Sequence, residues 1–291
     1  MKNQNKNTLR YSQNFLKSQA LVERLINLSS ISREDVVYEI GHGKGIITQV
    51  LAKREVKVIG IEKDKKLCEA LKKKFSGNSK VEIRCGDFLK TRLPEQGKYK
   101  VFSNIPFNLT AKIIGKLTSA PNPPEDCYLV VQKEAAEKFT GFPKETQYTL
   151  LLKSWFELRI IYHFQRTDFF PVPKVNVVLL RIKKYQELLV KEKEASLYRD
   201  FIIYGFNQWK PTLKKTFKEV FTYHQWKKLA RDLKFALRAI PTELDFNQWL
   251  GLFNFFLIEV PENKKQLVLG AEKRLKRQQT RLQKVHRTRI K

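Results

Sequence analysis

Val36-Val37-Tyr38-Glu39-Ile40-Gly41-His42-Gly43-Lys44-Gly45-Ile46-Ile47-Thr48-Gln49-Val50-Leu51 joins a short apolar run, a glycine-rich turn and a helix-type run without a gap. Strand, glycine turn, helix is the opening of a nucleotide-binding α/β unit. Glycines at 41, 43 and 45 let the backbone approach a ligand where a Cβ would collide. The spacing is G-x-G-x-G. A dinucleotide fingerprint needs Gly or Ala at position 46, which is Ile46 here, and a P-loop needs G-x-x-x-x-G-K-[ST]. The turn therefore speaks against NAD and FAD, and it is not a P-loop.

Three further strand-type runs follow. Val56 to Ile61 ends at Glu62, an acid placed to accept hydrogen bonds from two ribose hydroxyls. Val81 to Cys85 ends in Gly86-Asp87-Phe88, where Asp87 can accept from an adenine amine and Phe88 can pack on the base. Tyr99 to Ser103 ends in Asn104-Ile105-Pro106-Phe107. The Asn104 side-chain oxygen and the carbonyl of Ile105 or Pro106 can accept from an exocyclic amine, and the Phe107 ring can stack on a flat heterocycle. Pro106 fixes φ and holds Ile105 extended. In a parallel sheet these four strand ends share one edge, where α/β proteins bind ligands. Each acid alone also reads as a solvated residue or a helix N-cap.

Composition narrows the partner. The 291 residues allow a large core plus a smaller domain, and 42% of them are hydrophobic. Lys and Arg number 57 against 29 Asp and Glu, a net charge of +28. Such a surplus calls for an anionic partner, with RNA, DNA and an acidic membrane as candidates. Cys68, Cys85 and Cys127 form no Cys-x-x-Cys pair, which argues against zinc and against a disulfide framework and fits a reducing cytosol. No metal is expected. The first ten residues lack the apolar core of a signal peptide, and no run approaches membrane-spanning length, so a soluble cytoplasmic protein is expected.

A nucleoside ligand without a dinucleotide fingerprint points to S-adenosylmethionine. The ordered motifs Ser12-Gln13-Asn14-Phe15-Leu16, Glu39 to Gly45, Gly86-Asp87-Phe88 and Asn104-Ile105-Pro106-Phe107 resemble the rRNA adenine N6-dimethyltransferases over about residues 9–260. The Ser-Gln-Asn-Phe start, the Gly-Lys-Gly ending of the loop and Asn-Ile-Pro are similar to the erythromycin-resistance (Erm) branch. So are Phe169-Phe170-Pro171-Val172-Pro173-Lys174-Val175-Asn176 and Trp249 to Asn254. The resemblance implies that Asn14, Leu16, Gly41, Gly43, Gly45, Glu62, Asp87, Phe88 and Asn104 hold S-adenosylmethionine, with S-adenosylhomocysteine as product. It implies that Asn104, Ile105, Pro106 and Phe107 present the amine, and that Phe107 and Phe169 sandwich the target adenine. Phe107 stands where such enzymes more often carry Tyr. His42 occupies a loop position where a smaller residue is common, and reads as a tolerated side chain rather than a catalyst.

The expected architecture is a Rossmann-like α/β methyltransferase domain with a mixed, mostly parallel sheet, over residues 14–185, behind a basic mobile arm at 1–13. Asp126 to Gln132 reads as a further strand, and Glu157 to Phe164 with Val175 to Ile182 as a closing antiparallel pair. A smaller all-helical RNA-binding domain is expected over 186–260, with helices over Leu197–Trp209, Leu213–Phe221, Gln225–Leu237 and Phe246–Phe256. The basic tail, 261–291, has no apolar stripe beyond Leu267–Leu269 and reads as partly disordered. The resemblance implies addition of one or two methyl groups to an adenine of 23S rRNA before subunit assembly, by a monomer, with macrolide, lincosamide and streptogramin B resistance as the outcome. Two alternatives stand beside it: a small-subunit rRNA dimethyltransferase of ribosome biogenesis, and a non-enzymatic RNA-binding protein on the same scaffold.

Overall fold

The computed structural model describes residues 14–207 and 209–281. The expected basic arm at 1–13 and the last ten residues of the tail lie outside the described residues. Two compact units divide the chain: residues 14–140 with Phe156–Gln186, and Gly141–Trp155 with residues 187–281.

The first unit is built on a seven-stranded sheet. Its strands are β2 (Val36–Ile40), β3 (Lys57–Glu62), β4 (Val81–Cys85), β5 (Lys100–Asn104), β6 (Asp126–Gln132), β7 (Phe156–His163) and β9 (Val177–Lys184), in the order β4-β3-β2-β5-β6-β9-β7. The first five run parallel; β9 is antiparallel to both β6 and β7. A separate two-residue ladder joins β1 (Phe15–Leu16) to β8 (Phe169–Phe170). Strands β2 and β3 are near-continuous apolar runs because both their faces are covered, as a parallel sheet requires. Helices α1 (Gln19–Asn27) and α2 (Ile46–Lys53) place Val22, Leu25, Ile26, Ile47, Val50 and Leu51 in one core with Val37, Val58 and Phe102 of the sheet. At the sheet margin β4 carries the exposed pair Arg84–Glu82, 2.6 Å apart, a charged edge that discourages further strand pairing.

Cys68 and Cys85 are joined by a disulfide, Cα to Cα 5.6 Å, which corrects the expectation of unpaired cysteines. Cys68 lies on α3 (Lys65–Lys74), which packs beside β4, and a separation of 17 residues carries no signature of that contact. Cys127 is free and buried.

In the second unit Gly141–Trp155 joins the C-terminal helices instead of the sheet, within which the single run 14–185 was expected to place it. Leu150 of α6 (Gln147–Lys153) enters the helical core, its carbonyl accepting from Tyr198 Oη at 3.2 Å. Around it lie α7 (Ala195–Phe206), the single-turn α8 (Leu213–Thr216), α9 (Tyr223–Asp232) and α10 (Phe246–Glu259). The expected helix over Leu213–Phe221 is thus one turn only, and its apolar residues serve the core: Phe217, Val220 and Phe221 are all buried. The tail, expected to be partly disordered, carries two helices among its described residues. After α11 (Glu262–Lys265), α12 spans Ala271–Arg281. Val268 and Ala271 are buried, and the Asp200 carboxylate accepts from the backbone N–H groups of Gly270 (2.7 Å) and Glu272 (2.9 Å). A buried acid on α7, far away in sequence, anchors the start of that helix.

Candidate active site

The sheet order places a topological switch between β2 and β5. The chain passes from β2 outward to β3 and β4, then returns to β5 on the other side, so the loops after β2 and β5 leave in opposite directions. The ladder between these strands is short, pairing only Val37 with Lys100 and Tyr38 with Val101. Beyond it the Ile40 N–H donates to Ser103 Oγ at 2.7 Å, a side chain replacing the ladder where the strands part. Gly41 to Gly45 and Asn104 therefore flank one crevice.

The loop backbone is left-handed at Gly41, Gly43 and Gly45 (φ 68°, 52° and 77°). At Gly43 a Cβ would also lie 2.6 Å from Phe15 Cε1, so β1 closes over the loop only because position 43 has no side chain. Lys44 Nζ lies 5.5 Å from the Phe15 ring centroid. Glu62, 3% exposed, supports the loop from beneath. Its Oε2 accepts the Gly43 N–H at 3.0 Å and its Oε1 that of Asp64 at 2.9 Å. One bond per oxygen leaves each oxygen a further lone pair.

Asn104 is half-buried, and its Nδ2 donates to the Asn14 carbonyl at 2.7 Å. That bond fixes the amide plane and commits the nitrogen, so Oδ1 is the group left to face a ligand. Leu16 is core, paired in register with Phe169. The Pro106 carbonyl is engaged by Leu109 N–H at 2.9 Å, while Ile105 is buried with its side chain and Phe107 is half-buried against the same core. Phe169 differs from its expected role at the surface. Its ring is fully buried and tilted against Phe164 at 5.2 Å, and it is the next ring, Phe170, that is exposed, at 65%. Alternation along β8 explains the difference in exposure: neighbouring residues point to opposite faces.

Asp87 stands one strand beyond Glu62, tied to it through Gly86 N–H donating to the Glu62 carbonyl at 2.7 Å. Its Oδ1 caps the turn Phe88–Lys90 through Leu89 N–H (3.0 Å) and its Oδ2 meets Lys63 Nζ at 3.0 Å. The Lys63 hydrogen bond, first among the causes, holds the carboxyl below the ordinary aspartate range. Capping, the plainer sequence reading, thus occupies one oxygen. Phe88 is buried, with Lys116 Nζ 5.3 Å from its ring centroid.

Two buried ionisable groups at the loop are Glu39, to which the sequence reading gave no role of its own, and His42, which it read as a tolerated side chain. Glu39 is 1% exposed, and Thr48 Oγ1 donates to its Oε2 at 2.5 Å. Burial, aided by the nearby Glu62 charge and opposed by the Thr48 bond, pushes its pKa up to about 8. The signal was an acid inside an otherwise apolar strand. His42 is 3% exposed, neither ring nitrogen has a hydrogen-bond partner, and Nδ1 lies 3.9 Å from Glu62 Oε2. Burial lowers its pKa, against the opposing pull of the Glu62 charge. It fits because Gly60 has no Cβ, which would lie 2.7 Å from His42 Cδ2. Among the described residues no group of three or more His, Cys, Asp or Glu is arranged to hold a metal.

Known proteins match this chain in sequence and fold. The family described as "Ribosomal RNA adenine dimethylase" matches residues 4–257. An rRNA adenine N-6-methyltransferase of Lysinibacillus sphaericus is 31% identical over 254 residues, 87% of this chain and 98% of that protein. One of Bacillus licheniformis is 30% identical over 243 residues, 83% of this chain and 84% of that protein. Among solved structures, the 23S rRNA methyltransferase ErmE superposes with a TM-score of 0.77 at 25% identity, covering 83% of this chain and 98% of that one. A dimethyladenosine transferase from Plasmodium falciparum shares the fold, with a TM-score of 0.65 at 24% identity over 87% of this chain and 98% of that one. A crevice at the switch point, a glycine loop over a buried glutamate and an oriented asparagine amide agree with these matches: the chain belongs to the ribosomal RNA adenine dimethylase family, S-adenosylmethionine-dependent enzymes that methylate N6 of adenine in rRNA.

Proposed function

We propose that the substrate is an adenine of 23S rRNA, methylated on RNA not yet assembled into subunits by a cytoplasmic monomer, and that the outcome is resistance to macrolide, lincosamide and streptogramin B antibiotics. Supporting this are the likeness to ErmE over nearly all of that chain and the Erm-like motifs of the sequence. The single observation carrying the chemical part is the Asn104 Nδ2 to Asn14 carbonyl bond, which leaves Oδ1 as an acceptor beside the glycine loop.

The residues fit the cofactor. The remaining lone pairs of Glu62 suit the vicinal hydroxyls of a ribose, and at Gly41 a Cβ would meet only open space. S-adenosylmethionine supplies a methyl group already activated on a positively charged sulfur. No strong base is then needed in the protein. The adenine N6 lone pair is delocalised into the ring, and the protein's task is to orient the amine and favour its pyramidal form. Asn104 Oδ1 and the Ile105 carbonyl accept the two N6–H bonds; Pro106 is the weaker second candidate because its carbonyl already takes the Leu109 N–H. The proton leaves after transfer. Phe107 offers a ring face to a base that has left its stack.

The test is methyl transfer to protein-free large-subunit rRNA and to small-subunit particles, with the modified adenines mapped on both. Transfer to an adenine of the large-subunit RNA, together with raised macrolide tolerance in a susceptible host, is expected. Transfer confined to small-subunit particles would replace this reading with the ribosome-biogenesis one.

A further inference from the structure

Trp209, in the second unit, is 99% exposed, while Trp226 and Trp249 of the same unit are buried. Its backbone is left-handed, φ 49°, a region that residues with a side chain rarely adopt. An indole held out in water on a strained backbone invites a functional explanation. Beside it lies a cavity of about 250 Å³, lined by Phe206, Asn207, Lys210 and Thr216 among others. The wall is rigid: Phe206 stacks on Trp249 at 5.4 Å, and Asn207 Nδ2 is held by Gln147 Oε1 at 2.7 Å.

The segment that follows is strongly cationic. Residues 209–240 carry nine lysines and arginines against two acids, Glu219 and Asp232, a net +7. Both acids are paired with a sequence neighbour, Lys218 and Arg231. Lys214 on α8 lies 4.5 Å and Lys227 on α9 lies 5.9 Å from the ring centroid of Tyr223, itself more than half exposed. Exposed aromatic rings set among lysines are the two components of single-strand nucleic-acid binding: stacking for the bases, charge for the phosphates. A folded double helix offers no free base face to an indole, so the surface suits an unpaired segment.

We propose that Trp209, with the adjoining cavity, is a stacking site for one unpaired base of an RNA segment whose phosphates run over Lys210, Lys214 and Lys215. This rests on the reading of the protein as an rRNA methyltransferase. The site is built from residues of the second unit alone, whereas Asn104 belongs to the first.

The two contributions separate by salt. Stacking adds affinity without changing the number of phosphates neutralised, whereas each lysine adds to the salt dependence. The full-length chain, its Trp209→Ala and Trp209→Phe variants and a Lys214→Ala/Lys215→Ala variant are titrated with a protein-free large-subunit rRNA transcript across a salt series. S-adenosylmethionine binding is measured alongside as a check of folding, and methylation of the transcript by the wild type as a check of the functional reading. Expected are about tenfold weaker RNA binding for Trp209→Ala with an unchanged salt slope, near-wild-type binding for Trp209→Phe, and a shallower slope for the double lysine variant. RNA should quench tryptophan fluorescence in the wild type and much less in Trp209→Phe. Equal binding by wild type and Trp209→Ala, with the wild type methylating the transcript, overturns the site and leaves the enzyme reading standing. Absence of both RNA binding and methylation in the wild type overturns both. Loss in Trp209→Ala of binding to phosphatidylglycerol vesicles, with RNA binding intact, assigns the surface to lipid and overturns the proposal.

Discussion

Replacing Glu39 with Gln tests the physics beneath the glycine loop. The carboxyl has an ordinary pKa of 4.5 in the unfolded chain and about 8 in the folded protein, chiefly through burial. Between those values the folded state binds a proton that the unfolded state does not, so stability declines as pH rises from about 4.5 through 8. At ~1.4 kcal/mol per unit, the full effect is on the order of 5 kcal/mol, reached above pH 8 and absent below the unfolded value. Gln resembles the protonated acid and keeps an acceptor for Thr48 Oγ1, which lies 2.5 Å from the carboxylate in the native protein. Guanidinium denaturation of both proteins between pH 5 and 9 isolates the group, because all other titrations cancel in the difference. The Gln variant should be close to wild type near pH 5 and gain on it steadily, by about 2 kcal/mol or more near neutrality. Parallel stability curves would refute the argument, showing that the carboxylate is accommodated as an anion. Thr48→Val, which removes the hydrogen bond favouring the charged form, should delay ionisation of Glu39 to still higher pH.

Asn104→Ala should lose methyl transfer by about a hundredfold or more while retaining most S-adenosylmethionine binding by calorimetry; equal turnover would remove the amide from the mechanism. Glu62→Ala should abolish measurable cofactor binding, and Gly43→Ala should weaken it through both the left-handed backbone and the Phe15 ring 2.6 Å from the new Cβ; unchanged binding in both would relocate the cofactor. Phe170→Ala should reduce RNA methylation while thermal stability holds, whereas Phe169→Ala should lower stability by about 3 kcal/mol or more because its ring is fully buried; the reverse pattern in melting and transfer assays would restore Phe169 as the base-facing ring. Asp200→Ala should destabilise the second unit by about 2 kcal/mol, since two backbone N–H groups lose a buried carboxylate, with hydrogen exchange at Ala271–Arg281 as the readout.

The parallel strands, their order of appearance and the residues at their C-terminal ends were legible in the sequence, because buried parallel strands are written as unbroken apolar runs and their loops carry the ligand chemistry. Glycine spacing alone separated this loop from dinucleotide and triphosphate sites. What depended on distant contacts was not legible. The Cys68–Cys85 bond, the assignment of Gly141–Trp155 to the helical unit and the anchoring of Ala271–Arg281 by Asp200 each join residues whose separation carries no periodic signal. That Phe169 is buried and Phe170 exposed hung on strand register, where a shift of one residue turns every side chain to the other face. The raised pKa of Glu39 and the unpartnered ring of His42 are consequences of enclosure on all sides, which only tertiary packing creates.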